Sequence, residues 1–139
     1  MVHRAMKPLV AIAIAVTAAL GGCTTAQPGH WSPAGTKWRI VGLDGAPPSE
    51  PGKAMIVFSD DRRMSASVGC NSISGGYSLE DGRLMAKSLV SSLIGCENGL
   101  ASEESALIAL LSAAPQVSHH GDRLQLDSGG HTVELEKAA

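Results

Sequence analysis

The sequence predicts an α+β domain in which about eight short antiparallel strands wrap around one helix. Three observations carry this. Arg62 to Val68 alternates with period two, placing Met64, Ala66 and Val68 on one side and Arg63, Ser65 and Ser67 on the other, the pattern of a half-buried strand. Short apolar runs are separated by turn residues, Asp81-Gly82, Gly121-Asp122 and Ser128-Gly129-Gly130, and Asp-Gly between alternating segments is a strong hairpin signal. A single stretch, Ser102 to Ala113, has apolar spacings of three and four instead. A meander and one amphipathic helix bury their apolar faces together when the sheet curls over the helix.

Taken in order, Thr36 to Val41 is the first strand, with Trp38 and Ile40 on one face. Gly42 to Gly52 is a loop rich in Pro and Gly. Ala54 to Phe58 is a compact apolar strand, and Ser59-Asp60-Asp61 turns it into the alternating segment already described. Gly75 to Leu79 and Arg83 to Ala86 flank Glu80-Asp81-Gly82 as a hairpin. In the helix, Ser102 is placed to cap, and Glu103 and Glu104 put negative charge in the first turn. Leu107, Leu110, Leu111 and Ala114 form the buried stripe, Ile108 widens it, and Pro115 lies beyond the end. Gln116 to His120, Arg123 to Asp127 and His131 to Glu136 complete the meander, with Leu124, Leu126, Val133 and Leu135 facing the core. Met55, Met64 and Met85 lie on strands as core fillers.

The beginning of the chain speaks to location. Arg4 and Lys7 precede Leu9 to Leu20, a run almost entirely of Ala, Val, Ile and Leu, and Leu20-Gly21-Gly22-Cys23 closes it. A charged start, a short apolar stretch and small residues make a secretory signal, and the run is well short of the roughly 20 residues that span a bilayer. A cysteine at the cleavage site resembles the lipobox of bacterial lipoproteins, where the thiol is diacylated before signal peptidase II cuts. That resemblance implies a signal peptide over 1–22, lipidation at Cys23 and a membrane tether, since two acyl chains give stable anchoring. Thr24, not Asp, follows the cysteine, so the expected place is the non-cytoplasmic face of the cell envelope, the outer membrane where one exists. Residues 24–35 carry Pro28, Gly29, Pro33 and Gly35 with no apolar period and read as a flexible tether, at most about 40 Å long when extended.

Composition excludes several partners. The formal net charge is −2, and removal of Arg4 and Lys7 makes the mature chain more acidic still, with no basic block for nucleic acid or anionic lipid. Aromatic residues make up 3% of the chain, too few for base or sugar stacking platforms. No glycine-rich loop opens a helix, so nucleotide binding has no support. Of the three cysteines, Cys23 takes lipid, and Cys70 and Cys96 remain in a compartment where disulfides persist. The expectation is a Cys70–Cys96 disulfide; two buried free thiols are the alternative and a thiolate metal site a third.

The stretch Gly69-Cys70-Asn71-Ser72-Ile73-Ser74-Gly75-Gly76-Tyr77 resembles the G-C-N-x-x-x-G-x-Y signature of the META domain, the HslJ-like family. Trp38 with Ile40 resembles its opening W-x-L strand, and Ile56-Val57-Phe58 its apolar strand before the signature. Cys96 follows Leu89-Val90-Ser91-Ser92-Leu93-Ile94-Gly95 where the family usually carries T-x-M-A-C. Glu104 with Leu107 to Leu111 resembles its E-x-x-x-L helix, and Leu124-Gln125-Leu126 its closing L-x-L strand. The resemblance covers 36–137 and implies a small barrel-like antiparallel sheet cradling a helix, similar in shape to lipid-anchored pilot proteins of secretion systems. It also implies association with envelope stress and antibiotic tolerance.

Gly69, Gly75 and Gly76 permit positive φ and close backbone approach around Cys70, and Asn71 is suited to bond nearby backbone in such a turn. A scaffold role for this loop is the expectation, with binding centred on Asn71 and Tyr77 as the alternative. Cys70 with His119 or His120 is the one thiol–imidazole option; neighbouring strand residues face opposite ways, so at most one histidine reaches it, and a disulfide would abolish the nucleophile. His119, His120 and His131 lack metal-ligand spacing. No catalytic residue, no metal and no cofactor are therefore expected. The expected molecule is a monomeric, non-enzymatic binding module for an envelope protein or a small apolar ligand, its contact loops at 42–52 and 69–76. A pilot or chaperone-like escort is the alternative, and a hydrolase with an unrecognised site the third.

Overall fold

Eight strands follow one another around a closed barrel, each antiparallel to its sequence neighbour, and the eighth returns to the first. The computed structural model describes Gly22, residues 30–97 and residues 99–139. The expected signal peptide up to residue 21, the expected lipidation site Cys23 and the expected tether up to Gly29 lie outside the described residues. The strands are β1 (Thr36–Leu43), β2 (Met55–Phe58), β3 (Arg63–Ser67), β4 (Ile73–Glu80), β5 (Arg83–Ser91), β6 (Gln116–His120), β7 (Arg123–Asp127) and β8 (Thr132–Lys137), with the helix α1 (Leu100–Ser112) between β5 and β6. The α+β reading and the strand count therefore hold.

The alternation seen in sequence is the inside and outside of the barrel. Trp38 and Ile40 of β1, Met64 and Ala66 of β3 with Val68 just beyond it, Leu124 and Leu126 of β7, and Val133 and Leu135 of β8 are all buried. Leu107, Leu110 and Leu111 of α1 are fully buried among them, each contributing roughly 1.5–3 kcal/mol by leaving water. The helix has a positional reason as well. β5 and β6 share a single register pair, Arg83 with Gln116, and α1 packs against β5 beside that short seam.

The barrel has two rims. One, the entry rim, carries the chain entering β1 and the tight turns β2–β3, β4–β5 and β6–β7. The other, the loop rim, carries residues 44–54, 68–72, 92–99 with the start of α1, and 128–131. Gly75 sits where the β4–β5 register shifts, and a Cβ there would stand 2.6 Å from the Lys87 carbonyl. Ser88 opposite adopts φ 52, so the pair forms a β-bulge that bends both strands.

Several expectations need correction. α1 starts at Leu100 with Gly99 as N-cap in a left-handed conformation and no side-chain cap; Ser102, expected to cap, lies inside the first turn, where its N–H reaches the Gly99 carbonyl. Ala114 leaves the helix with φ 49 and is only half-buried, so it does not extend the stripe. β5 runs on to Ser91 instead of stopping at Ala86. Met55 and Met85 are half-exposed, unlike Met64. Neither Gly75 nor Gly76 has positive φ. The barrel unit takes in residues ahead of β1, from Trp31 on: Pro33 is buried, and Trp31 stacks on His119 at 4.4 Å with rings 18° apart.

Candidate functional site

The signature residues separate by rim. Gly69 has φ 119, and a Cβ there would fall 2.8 Å from Glu50 Cβ, so only glycine lets the 68–72 loop press against the 44–54 loop. Cys70, one residue on, is disulfide-bonded to Cys96, with Cα atoms 5.9 Å apart. Tyr77 belongs to the entry rim: it is buried, packs edge-on against Phe58 at 5.0 Å, and donates a long 3.4 Å hydrogen bond to the Ser59 carbonyl. Burial holds its phenol above the ordinary value of 10.0, with the Asp60 charge adding to the effect. The fold thus places Asn71 and Tyr77, considered together as a binding pair from sequence, at opposite rims.

Asn71 is buried, and its amide joins three segments. Its Nδ2 donates to the Ile94 carbonyl at 3.0 Å and to Glu104 Oε1 at 3.1 Å. Its Oδ1 accepts from the Ile94 N–H at 2.8 Å and from Ser92 Oγ at 2.9 Å. Its own carbonyl accepts from Ser67 Oγ at 2.8 Å. A buried amide satisfied this fully fixes the loop around it. Ser91 Oγ donates to the same Glu104 Oε1 at 3.2 Å. The other carboxylate oxygen, Oε2, faces Cys96 Sγ at 3.6 Å.

The N-terminal end of α1 is where these ties converge, and two adjacent glutamates, Glu103 in the first turn and Glu104 just beyond it, divide the work. Glu104 holds Asn71 and β5, as above. Glu103 holds the 44–54 loop, its Oε1 accepting from the N–H of Ser49 at 2.9 Å and from the Ser49 hydroxyl. The far side of that loop is fixed by Asp44, which accepts from the Thr132 N–H at 2.9 Å and meets His131 Nδ1 at 2.8 Å. The hydrogen bond with His131, then that from Thr132, holds the Asp44 carboxyl below its ordinary value.

Beside these polar ties, the 90–94 segment at this rim turns apolar side chains outward. Leu93 is 98% exposed, Ile94 64% and Val90 63%. These three are the exposed large hydrophobic side chains among the described residues, and they lie within five positions on the segment held by Asn71 and the disulfide. The barrel interior is occupied by packed side chains, whereas a described cleft of about 340 Å³ lies on the outer face of β6, β7 and β8, lined by polar groups such as His120, Arg123 and Glu134.

The nucleophile and base weighed from sequence do not meet: Cys70 is at the loop rim and bonded, while His119 and His120 are at the entry rim. His131 pairs with Asp44 at the loop rim, apart from both. Among the described residues, the group of metal-type donors that does converge is Cys70, Cys96 and Glu104, with ligand atoms within 4.8 Å of one another. Sequence reasoning did not find Glu103, Glu104 or the Leu93–Ile94 pair as site residues. The two acids read as first-turn charge, because partners 54 and 33 positions away leave no local signal.

Comparison with known structures returns the same architecture. A structure solved by NMR is 25% identical, with a TM-score of 0.64 over 73% of this chain and 88% of its own. A second NMR structure, of a protein from Burkholderia xenovorans, is 24% identical with a TM-score of 0.62, over 77% and 84%. A DUF4847 family protein from Bacteroides vulgatus, solved by crystallography, is 14% identical with a TM-score of 0.54, over 75% and 93%, and shares the fold. No curated protein matches in sequence. The META domain family model matches residues 32–139, which takes in all eight strands, the helix and the Asn71 network, and the chain belongs to the META domain family.

Proposed function

We propose that this META domain protein is a lipid-anchored, non-enzymatic module of the cell envelope that binds a partner protein through its loop rim and serves envelope stress or antibiotic tolerance. The observation that carries the binding reading is the apolar trio Val90, Leu93 and Ile94, held out to solvent on a segment fixed by a disulfide and a buried amide. An exposed leucine on an untied loop is ordinary, but an apolar projection tied by a disulfide and hydrogen bonds suits an interface, where preorganisation lowers the cost of docking. The packed interior favours a protein partner over an apolar ligand inside the barrel. The lipobox-like Leu20-Gly21-Gly22-Cys23 supports the anchor.

Photo-crosslinking in cells tests the interface. A crosslinking residue at position 93 is expected to trap a discrete protein adduct, and one at Gln125, on the outer face of β7, is not. Leu93→Asp is expected to abolish the adduct made from position 94 while changing stability by less than about 0.5 kcal/mol, as exposed substitutions do. Equal adducts at positions 93 and 125, or no loss with Leu93→Asp, would remove the loop rim from the proposal.

A further inference from the structure

We propose that, when its disulfide is reduced, the loop rim forms a binding site for a thiophilic divalent cation such as zinc, with Cys70, Cys96 and Glu104 as ligands. The placement of Glu104 is the starting point. Its Oε1 is occupied by Asn71 Nδ2 at 3.1 Å and Ser91 Oγ at 3.2 Å, and its Oε2 is aimed at Cys96 Sγ at 3.6 Å. A disulfide sulfur has no proton to give that oxygen. One carboxylate oxygen fixed by hydrogen bonds while the other points at the coordination position is the arrangement outer-shell partners create around metals.

The geometry accommodates the change. The three ligand atoms lie within 4.8 Å of one another. Two thiolates on zinc at about 2.3 Å stand roughly 3.8 Å apart in tetrahedral coordination, and cysteines with Cα atoms 5.9 Å apart reach that spacing by side-chain rotation. Both cysteines are half-buried, open to reductant and ion alike. The Asn71 network spans the same two segments as the disulfide, so the donors stay together when the sulfur bond opens. The chemistry balances: a thiol or phosphine reductant supplies two electrons, two protons complete the thiols, and the cation displaces both protons to solvent as the thiolates bind. Two soft ligands, one carboxylate and a fourth position left for water select a zinc-type ion over magnesium or calcium.

Cobalt(II) is the probe, because thiolate coordination gives it an ultraviolet charge-transfer absorption. The full chain carrying Cys23→Ser, with Cys70 and Cys96 as its only thiols, is reduced with a phosphine, checked by circular dichroism and titrated with cobalt. The expected result is one ion per chain with the thiolate band, no band in the oxidised protein, loss of the band with Cys70→Ser, and binding weakened by more than about tenfold with Glu104→Gln. A folded, reduced chain that takes up no cobalt overturns the proposal. So does unchanged affinity in Glu104→Gln, or a reduced chain that has unfolded and does not regain its spectrum on adding cobalt.

Discussion

Replacing Asn71 by alanine leaves the Ile94 N–H and carbonyl and the Glu104 carboxylate without their buried partner. Losing one side of a buried polar network costs the desolvation of every group left behind, so Asn71→Ala is expected to lower stability by about 2–4 kcal/mol, read as a shift in the urea midpoint with the disulfide intact. Asp44 makes a prediction in pH. Its carboxyl is held below 3.8 in the folded protein, so its contribution is present above the unfolded value and is lost as pH falls through the lower folded one. An NMR titration is expected to give Asp44 a midpoint below 3.8, and Asp44→Asn to flatten the acid limb of stability below that pH. Because the pair is partly exposed, the effect is small.

The disulfide closes the β4–β5 hairpin and the approach to α1 into a loop with a sequence separation of 26. By the chain-entropy model this is worth about 3.5 kcal/mol, and the Cys70→Ser, Cys96→Ser double variant is expected to lose about that much in urea unfolding at most. The elements also show how far sequence reasoning reaches. β6 and β7 match their predicted bounds, because Gly121-Asp122 marks the turn and alternation marks the face. β5 runs past its predicted end because the bulge at Ser88 breaks the period and places the serines and Val90 where a loop is expected. α1 starts ahead of its predicted first residue because Gly99 caps through its backbone, leaving no side-chain signature. The site was legible only in part. Gly69, Cys70 and Asn71 stand together in the chain, but the acids that hold them are brought from α1 by the fold.

On the scale of the whole molecule, location is tested at one residue. Cys23→Ala is expected to move the protein from the membrane fraction to the soluble fraction, read by fractionation and immunoblot, and retention in the membrane would remove the lipid from the account. The stability of the barrel is expected to be unaffected, since the barrel unit starts at Trp31.

The pairing of β8 with β1 has a consequence for how the chain is wired. Ala138 donates to the Lys37 carbonyl at 2.9 Å, so the last strand ends beside the start of the first, on the entry rim. Every strand neighbours its predecessor in sequence, which makes the order of strands a ring with an arbitrary starting point. A circular permutant joining Ala139 to Trp31 and opened between Asp81 and Gly82 preserves the ring order, exchanging one tight turn for one short linker. All four segments of the loop rim stay uncut in such a chain, so this domain is a natural frame for grafting foreign recognition loops.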